Sequence, residues 1–85
     1  NMKYKIGDVV QIKSLSDISK IIDEKGNVGG IPFNEKMHCY CNSILTIEEI
    51  DIFSRFIPSY RMMEDPWHRY TDEMIERKIN PEDGI

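Results

Sequence analysis

The 85-residue chain has no alanine and only two leucines. Helical bundles are built largely from these two residue types, so their scarcity disfavours a fold made only of helices. Fourteen isoleucines and three valines supply most of the aliphatic side chains instead. β-Branched residues lose side-chain freedom in helices and pack well in sheets. The aliphatic composition therefore predicts a mainly β fold.

Long apolar runs and an excess of basic residues are also lacking. No run approaches the roughly 20 residues that a membrane-spanning helix needs, so we expect no membrane association. No apolar signal segment follows the start, and we expect a cytoplasmic protein. Eleven basic and fifteen acidic side chains give a net charge of −4. This balance makes nucleic acid an unlikely partner, because binding to phosphates requires a basic excess.

The length fits one small domain, which we place at residues 3–79, followed by a loose tail at residues 80–85. Alternation of apolar and polar residues predicts five short strands within this domain. They cover residues 4–13, with a turn at Gly7-Asp8 inside the start, and residues 43–50, 59–63, 67–70 and 75–79. Residues 51–58 are predicted to form a bend or hairpin connection, into which Phe53, Phe56 and Ile57 could extend the strands.

Helical spacing predicts two short helices between the first and second strands. The first lies within residues 14–26, and the second follows Asn34, which can cap it. Asn42 can adopt the left-handed conformation that ends the second helix. Three glycines and Pro32 predict an irregular loop over residues 26–32. A further helical turn is expected at residues 71–73, just before the last strand.

This plan predicts a small SH3-like five-stranded barrel with short helical insertions between strands 1 and 2 and a helical turn before the last strand. Each strand is too short to be stable in an open pair. Closure into a barrel would also remove exposed strand edges.

Several segments resemble a group of short uncharacterised proteins encoded by gut bacteria, their prophages and mobile elements. They are residues 5–15 (KIGDVVQIKSL), 33–37 (FNEKM), 40–41 (YC), 45–47 (LTI), Trp67 and 70–76 (YTDEMIE). The resemblance implies an SH3-like fold and implies no activity. Asn42 stands where relatives carry a glycine, and residues 52–59 are more apolar than the acidic, glycine-containing turn of the group.

Two cysteines and two histidines are the only set that could hold a metal. However, the Cys39-x-Cys41 spacing on a helix turns the two thiols roughly 200° apart. We therefore predict no metal and no cofactor, with Cys41 packed beside Met37 and Cys39 facing solvent. His38 next to Cys39 makes no convincing catalytic pair, and without a nucleophile–base–orienter set we predict no enzymatic activity.

Aromatic residues near strand ends form the candidate binding site, which comprises Tyr60, Trp67, His68 and Tyr70. Such side chains can form a groove for a peptide, because they supply a large contact area at low entropic cost. They can equally be core residues, and for Trp67 we favour the core because large aromatic residues are mostly buried. Strand alternation would place His68 and Tyr70 on the face opposite Trp67.

We therefore predict a small protein-interaction module that binds an unknown protein or peptide. Two alternatives stay open: a small barrel that binds nucleic acid, and a mobile-element protein that acts on a host factor. Residues 43–85 carry ten acidic and five basic side chains, which could orient a basic partner. Solubility is the simpler interpretation of this asymmetry, and we favour it.

Overall fold

The computed structural model describes residues 2–52 and 57–83, and the predicted bend at Phe53 and Phe56 lies outside these residues. Seven strands occur in the described residues. They are β1 (Val9–Ile12), β2 (Asn27–Val28), β3 (Ile31–Pro32), β4 (Ile44–Ile52), β5 (Pro58–Met62), β6 (Asp65–Tyr70) and β7 (Ile75–Ile79). The helix α1 spans Leu15–Ile21, and 3-10 helices span Glu35–Tyr40, Asp72–Met74 and Pro81–Asp83. All five predicted strands are present, as β1 and β4 to β7.

Five strands form one antiparallel sheet in the order β6-β5-β4-β1-β7. The protein is therefore a mainly β domain with few helices. The predicted closure into a barrel is wrong, because β6 and β7 form the two edges of this sheet and do not pair with each other in residues 2–52 and 57–83. Register shifts interrupt the β1–β7, β4–β5 and β5–β6 pairings, and such bulges bend a sheet without closing it.

Strand alternation builds the core on one face of the sheet. Helix α1, the β2–β3 hairpin and two of the 3-10 helices contribute further apolar side chains to the same cluster. Among the described residues, the fully buried large apolar and aromatic side chains are Tyr60, Tyr70, Ile12, Ile18, Met37, Ile47, Met62, Met74, Val10 and Val28. No helix in the described residues is both long and apolar enough to cross a membrane.

Local signals in the sequence have the structural effects expected of them. The Asn34 side chain accepts a hydrogen bond from the Lys36 backbone N–H at 2.9 Å and so caps the first 3-10 helix. Asn42 adopts a φ of 68°, the left-handed conformation that is predicted to end the second helix. In the opening turn, Gly7 has a φ of 93° and the Asp8 carboxylate accepts a hydrogen bond from the Lys5 N–H.

The segment predicted as an irregular loop instead contains the β2–β3 hairpin. Its two-residue turn is Gly29-Gly30, with φ values of 64° and 90°, as a type I′ turn requires. Near this hairpin, Thr71 Oγ1 donates a hydrogen bond to the carbonyl of Val28 at 2.9 Å. The glycine pair is therefore a packed turn that fixes the hairpin beside the end of β6.

A Gly29→Ala substitution tests this packing. The new Cβ would lie 2.7 Å from Thr71 Oγ1 and would also clash with Glu73 Oε1. We expect Gly29→Ala to lower the free energy of unfolding by about 1 to 3 kcal/mol more than Gly26→Ala, measured by urea denaturation. Gly26 is a matched control, since its φ is also positive at 83° and no described neighbour lies within 4 Å of the added Cβ. Equal losses in the two variants would show that the Gly29 turn is not tightly packed.

Candidate functional site

The four aromatic candidates do not share one groove. Tyr60 and Tyr70 are fully buried, and His68 is half-buried. Trp67 has 85% of its surface exposed, more than any other large hydrophobic residue that the structure describes. The interpretation of Trp67 as a core residue is therefore wrong, and the two tyrosines take the core positions instead.

Trp67 is exposed because it lies in a β-bulge. Met62 pairs with Asp65 and Arg61 pairs with Arg69, so three residues of β6 face no residue of β5. Trp67 is the middle residue of these three. The prediction of a core position follows from the usual burial of large aromatic residues, and Trp67 departs from it because no residue of β5 lies opposite it in the bulge.

The carboxylate of Asp65 forms hydrogen bonds with three other residues of this bulged strand. Asp65 is fully buried and its two oxygens lie within hydrogen-bond distance of three donors. The Tyr70 hydroxyl donates to Oδ2 at 2.7 Å, His68 Nδ1 lies 2.9 Å from the same oxygen, and the Trp67 backbone N–H donates to Oδ1 at 3.3 Å. Carboxylate oxygens accept hydrogen bonds, so the imidazole tautomer with its proton on Nδ1 is the one that matches this geometry. The conformation around Trp67 is thus held by one buried carboxylate.

The hydroxyl groups of both buried tyrosines bind carboxylates. Tyr60 donates to Asp72 Oδ1 at 2.6 Å, and its ring meets Tyr4 edge-to-face at 5.7 Å between centroids. Burial raises the pKa of the Tyr60 and Tyr70 hydroxyls, and the hydrogen bonds to Asp72 and Asp65 raise it further. Neither phenol is therefore a candidate for proton transfer near neutral pH, and both have structural roles.

The turn between β5 and β6 is held against its neighbours. The Met63 N–H donates to the carbonyl of Thr46, and the Glu64 carboxylate accepts hydrogen bonds from the Thr46 N–H and hydroxyl at 2.8 and 3.1 Å. The Tyr40 hydroxyl donates to the Glu64 carbonyl. The chain leading into the bulge is therefore anchored on β4 and on the first 3-10 helix, so that Trp67 projects from an ordered support.

The two cysteines lie where the sequence places them. Cys39 is exposed, and Cys41 is half-buried against the core. Burial raises the pKa of the Cys41 thiol, which makes it a weaker nucleophile at neutral pH. No group of three metal-binding side chains occurs within the part of the chain that the structure describes.

Asp65 is the site residue that the sequence pattern does not identify. The sequence Glu64-Asp65-Pro66 is typical of a solvated turn, whereas in the structure β6 begins at Asp65 and the turn is Met63-Glu64. The only sequence feature that points to Asp65 is its spacing from His68 and Tyr70, which lie three and five residues later. Across a bulge, a carboxylate at this spacing can reach both side chains. Without knowledge of the bulge, this spacing is indistinguishable from that of a surface turn.

Comparison of the chain with family models, with curated proteins and with solved structures found no match. The functional argument therefore depends on the geometry of the site.

The Asp65→Asn substitution tests the role of the buried carboxylate. Asparagine has nearly the same size as aspartate but only one acceptor oxygen. At least one of the three donors would therefore face the NH₂ group of the amide, which cannot accept a hydrogen bond. We expect a loss of about 2 to 3 kcal/mol in the free energy of unfolding, measured by urea denaturation. Asp17→Asn is a control, because that carboxylate is 49% exposed and pairs with Lys20 at the surface. Similar stabilities for the two variants would contradict the proposed role of Asp65.

The raised pKa values of Tyr60 and Tyr70 predict sensitivity to alkaline pH. A folded-state pKa above the unfolded value means that the stabilising contribution is complete below the unfolded pKa of about 10 and is lost as the pH rises above it. Each tyrosine then costs about 1.4 kcal/mol of stability per pH unit until its folded-state pKa is reached. We expect Tyr70→Phe and Tyr60→Phe each to reduce the slope of stability against pH above 10, measured by urea denaturation. An unchanged slope in both variants would rule out this linkage.

Proposed function

We propose that this protein is a small SH3-like interaction module that docks a partner protein through Trp67. Five short antiparallel strands, the helical insertion after the first strand and the 3-10 turn before the last support the SH3-like assignment. The observation that carries the functional proposal is the exposure of Trp67. Tryptophan is enriched among the residues that dominate binding energy at protein interfaces, because it buries a large area with few rotatable bonds.

The support beneath Trp67 favours a docking role. The backbone of the bulge is held by Asp65, and the preceding turn is held by Thr46 and Tyr40. A preorganised anchor loses less conformational entropy on binding than a flexible one. Met63 lies in that turn and is 59% exposed, so the hairpin offers a second apolar side chain close to Trp67 in the chain.

The remaining candidate residues act indirectly in this proposal. Tyr70 and His68 hold the Asp65 carboxylate, and Tyr60 anchors β5 on Asp72. The module binds protein and performs no catalysis. The net charge of −4 argues against nucleic acid as the partner. A cytoplasmic location, expected from the sequence, belongs to the same proposal.

Affinity capture with Trp67→Ala tests this function. The tagged protein is incubated with a lysate of the source organism, and the retained proteins are identified by mass spectrometry. We expect at least one protein to be retained by the wild type and to fall about tenfold or more with Trp67→Ala, since hot-spot residues contribute about 2 kcal/mol or more. The substitution removes an exposed side chain and should leave the unfolding transition nearly unchanged.

Ile6→Ala is the matched control, because Ile6 is also an exposed apolar residue, at 64%. The same partner should be retained by this variant. Retention of every captured protein by Trp67→Ala would contradict the proposed function.

A further inference from the structure

An acidic surface lies on the sheet face opposite the core, over β4, β5, β6 and the turn that joins β5 to β6. Tyr60, Met62 and Tyr70 point into the core, so the alternating residues on β5 and β6 point to the opposite face. We call this surface the outer acidic face. Its charged residues are the carboxylates of Glu48, Glu49, Asp51 and Glu64 and the guanidinium groups of Arg61 and Arg69.

Among the described residues of β4, β5, β6 and the turn that joins β5 to β6, four carboxylates stand against two cations on this face. A third cation, Arg77, lies on the same face of β7 and donates a hydrogen bond to Gln11. Arg61 lies between two of the carboxylates, 3.6 Å from Glu48 and 3.1 Å from Glu49, and Arg69 pairs with Asp51. Glu64 is directed onto Thr46 by two hydrogen bonds. The face therefore keeps an excess negative charge close to the hairpin that carries Trp67.

A small apolar cavity lies farther along the same face. Thr46 pairs with Val9, and Val9 pairs with Ile79, so the Glu64 carboxylate is one strand away from Val9. Val9, Ile79, Asn80 and Pro81 line a cavity of about 200 Å³. A cavity of about 150 Å³ holds benzene, whereas pockets for drug-sized ligands start at about 300 Å³. This cavity thus fits one aliphatic side chain.

We infer that the partner docked by Trp67 presents a basic segment with an aliphatic side chain, which runs across the outer acidic face towards this cavity. This inference rests on the proposed function and specifies the chemistry of the partner. Lysine or arginine side chains would meet the excess carboxylates, since complementary charge selects and steers partners. A second copy of the chain is disfavoured as occupant, because its net charge of −4 would oppose association.

Synthetic peptides test the inference directly. The probe is a capped peptide of three Lys-Leu-Gly repeats, titrated into the full chain by isothermal titration calorimetry. We expect saturable binding that weakens about tenfold or more when the salt concentration rises from about 0.05 M to about 0.5 M, because salt screens exposed charges. The emission of Trp67, the one tryptophan in the chain, should change during the same titration.

Two matched peptides separate the contributions of charge and shape. A peptide with glutamate in place of lysine should not bind, and one with alanine in place of leucine should bind about tenfold or more weakly. On the protein, the double substitution Glu48→Gln and Glu49→Gln should weaken binding of the Lys-Leu-Gly peptide about threefold or more. Glu35→Gln, in the 3-10 helix Glu35–Tyr40, is the control and should bind the peptide as the wild type does.

The inference and the proposed function can fail separately. Absence of binding by the Lys-Leu-Gly peptide, equal binding by the glutamate peptide, or affinity independent of salt would overturn the basic-segment inference. None of these outcomes would affect a partner that is captured by the wild type and lost with Trp67→Ala. Conversely, retention of all partners by Trp67→Ala would overturn the proposed function even if the peptide binds.

Discussion

The buried carboxylate of Asp65 determines the shape of the candidate site. A carboxyl group in a core is tolerated only where protein groups replace its hydrogen bonds to water, and the Tyr70 hydroxyl, His68 Nδ1 and the Trp67 backbone N–H do so for Asp65. All three donors come from β6 itself. Strand β6 must therefore bend for these three groups to reach the Asp65 carboxylate. The bulge that keeps Trp67 out of the core results from the same hydrogen bonds.

Much of the fold could be predicted from local patterns. Alternation predicts the five main strands, and the capping by Asn34 and the left-handed Asn42 follow from side-chain chemistry that acts over a few residues. Barrel closure depends instead on how far successive bulges bend the sheet. The sequence does not predict the β2–β3 hairpin, because three glycines and a proline are typical of an irregular loop. The hairpin depends on a contact that is distant in sequence, the hydrogen bond from Thr71 to the carbonyl of Val28.

The positions of the candidate residues follow from the sequence only in part. The pattern names the aromatic residues of β5 and β6 as the candidate site, and that assignment stays a prediction, but it places Trp67 in the core and gives Asp65 no role. The Trp67 error comes from the general tendency of large aromatic residues to be buried. Asp65 is missed because its partners reach it across the bulge, where the β5–β6 pairing skips three residues. Tyr70 follows the bulge and is fully buried.

The arrangement of aromatic residues also bears on why Trp67 lies outside. Tyr60 and Tyr70 are buried although each carries a hydroxyl that needs a partner, and the chain supplies Asp72 and Asp65 for them. The more apolar indole is left in solvent, which loses the stabilisation that its burial would give. Small domains have low free energies of unfolding. The stability of the fold therefore does not explain why two tyrosines are buried while the tryptophan is exposed. A partner that covers Trp67 would recover the lost burial on binding, and the hydrogen bond to Asp65 holds the backbone from which the indole projects.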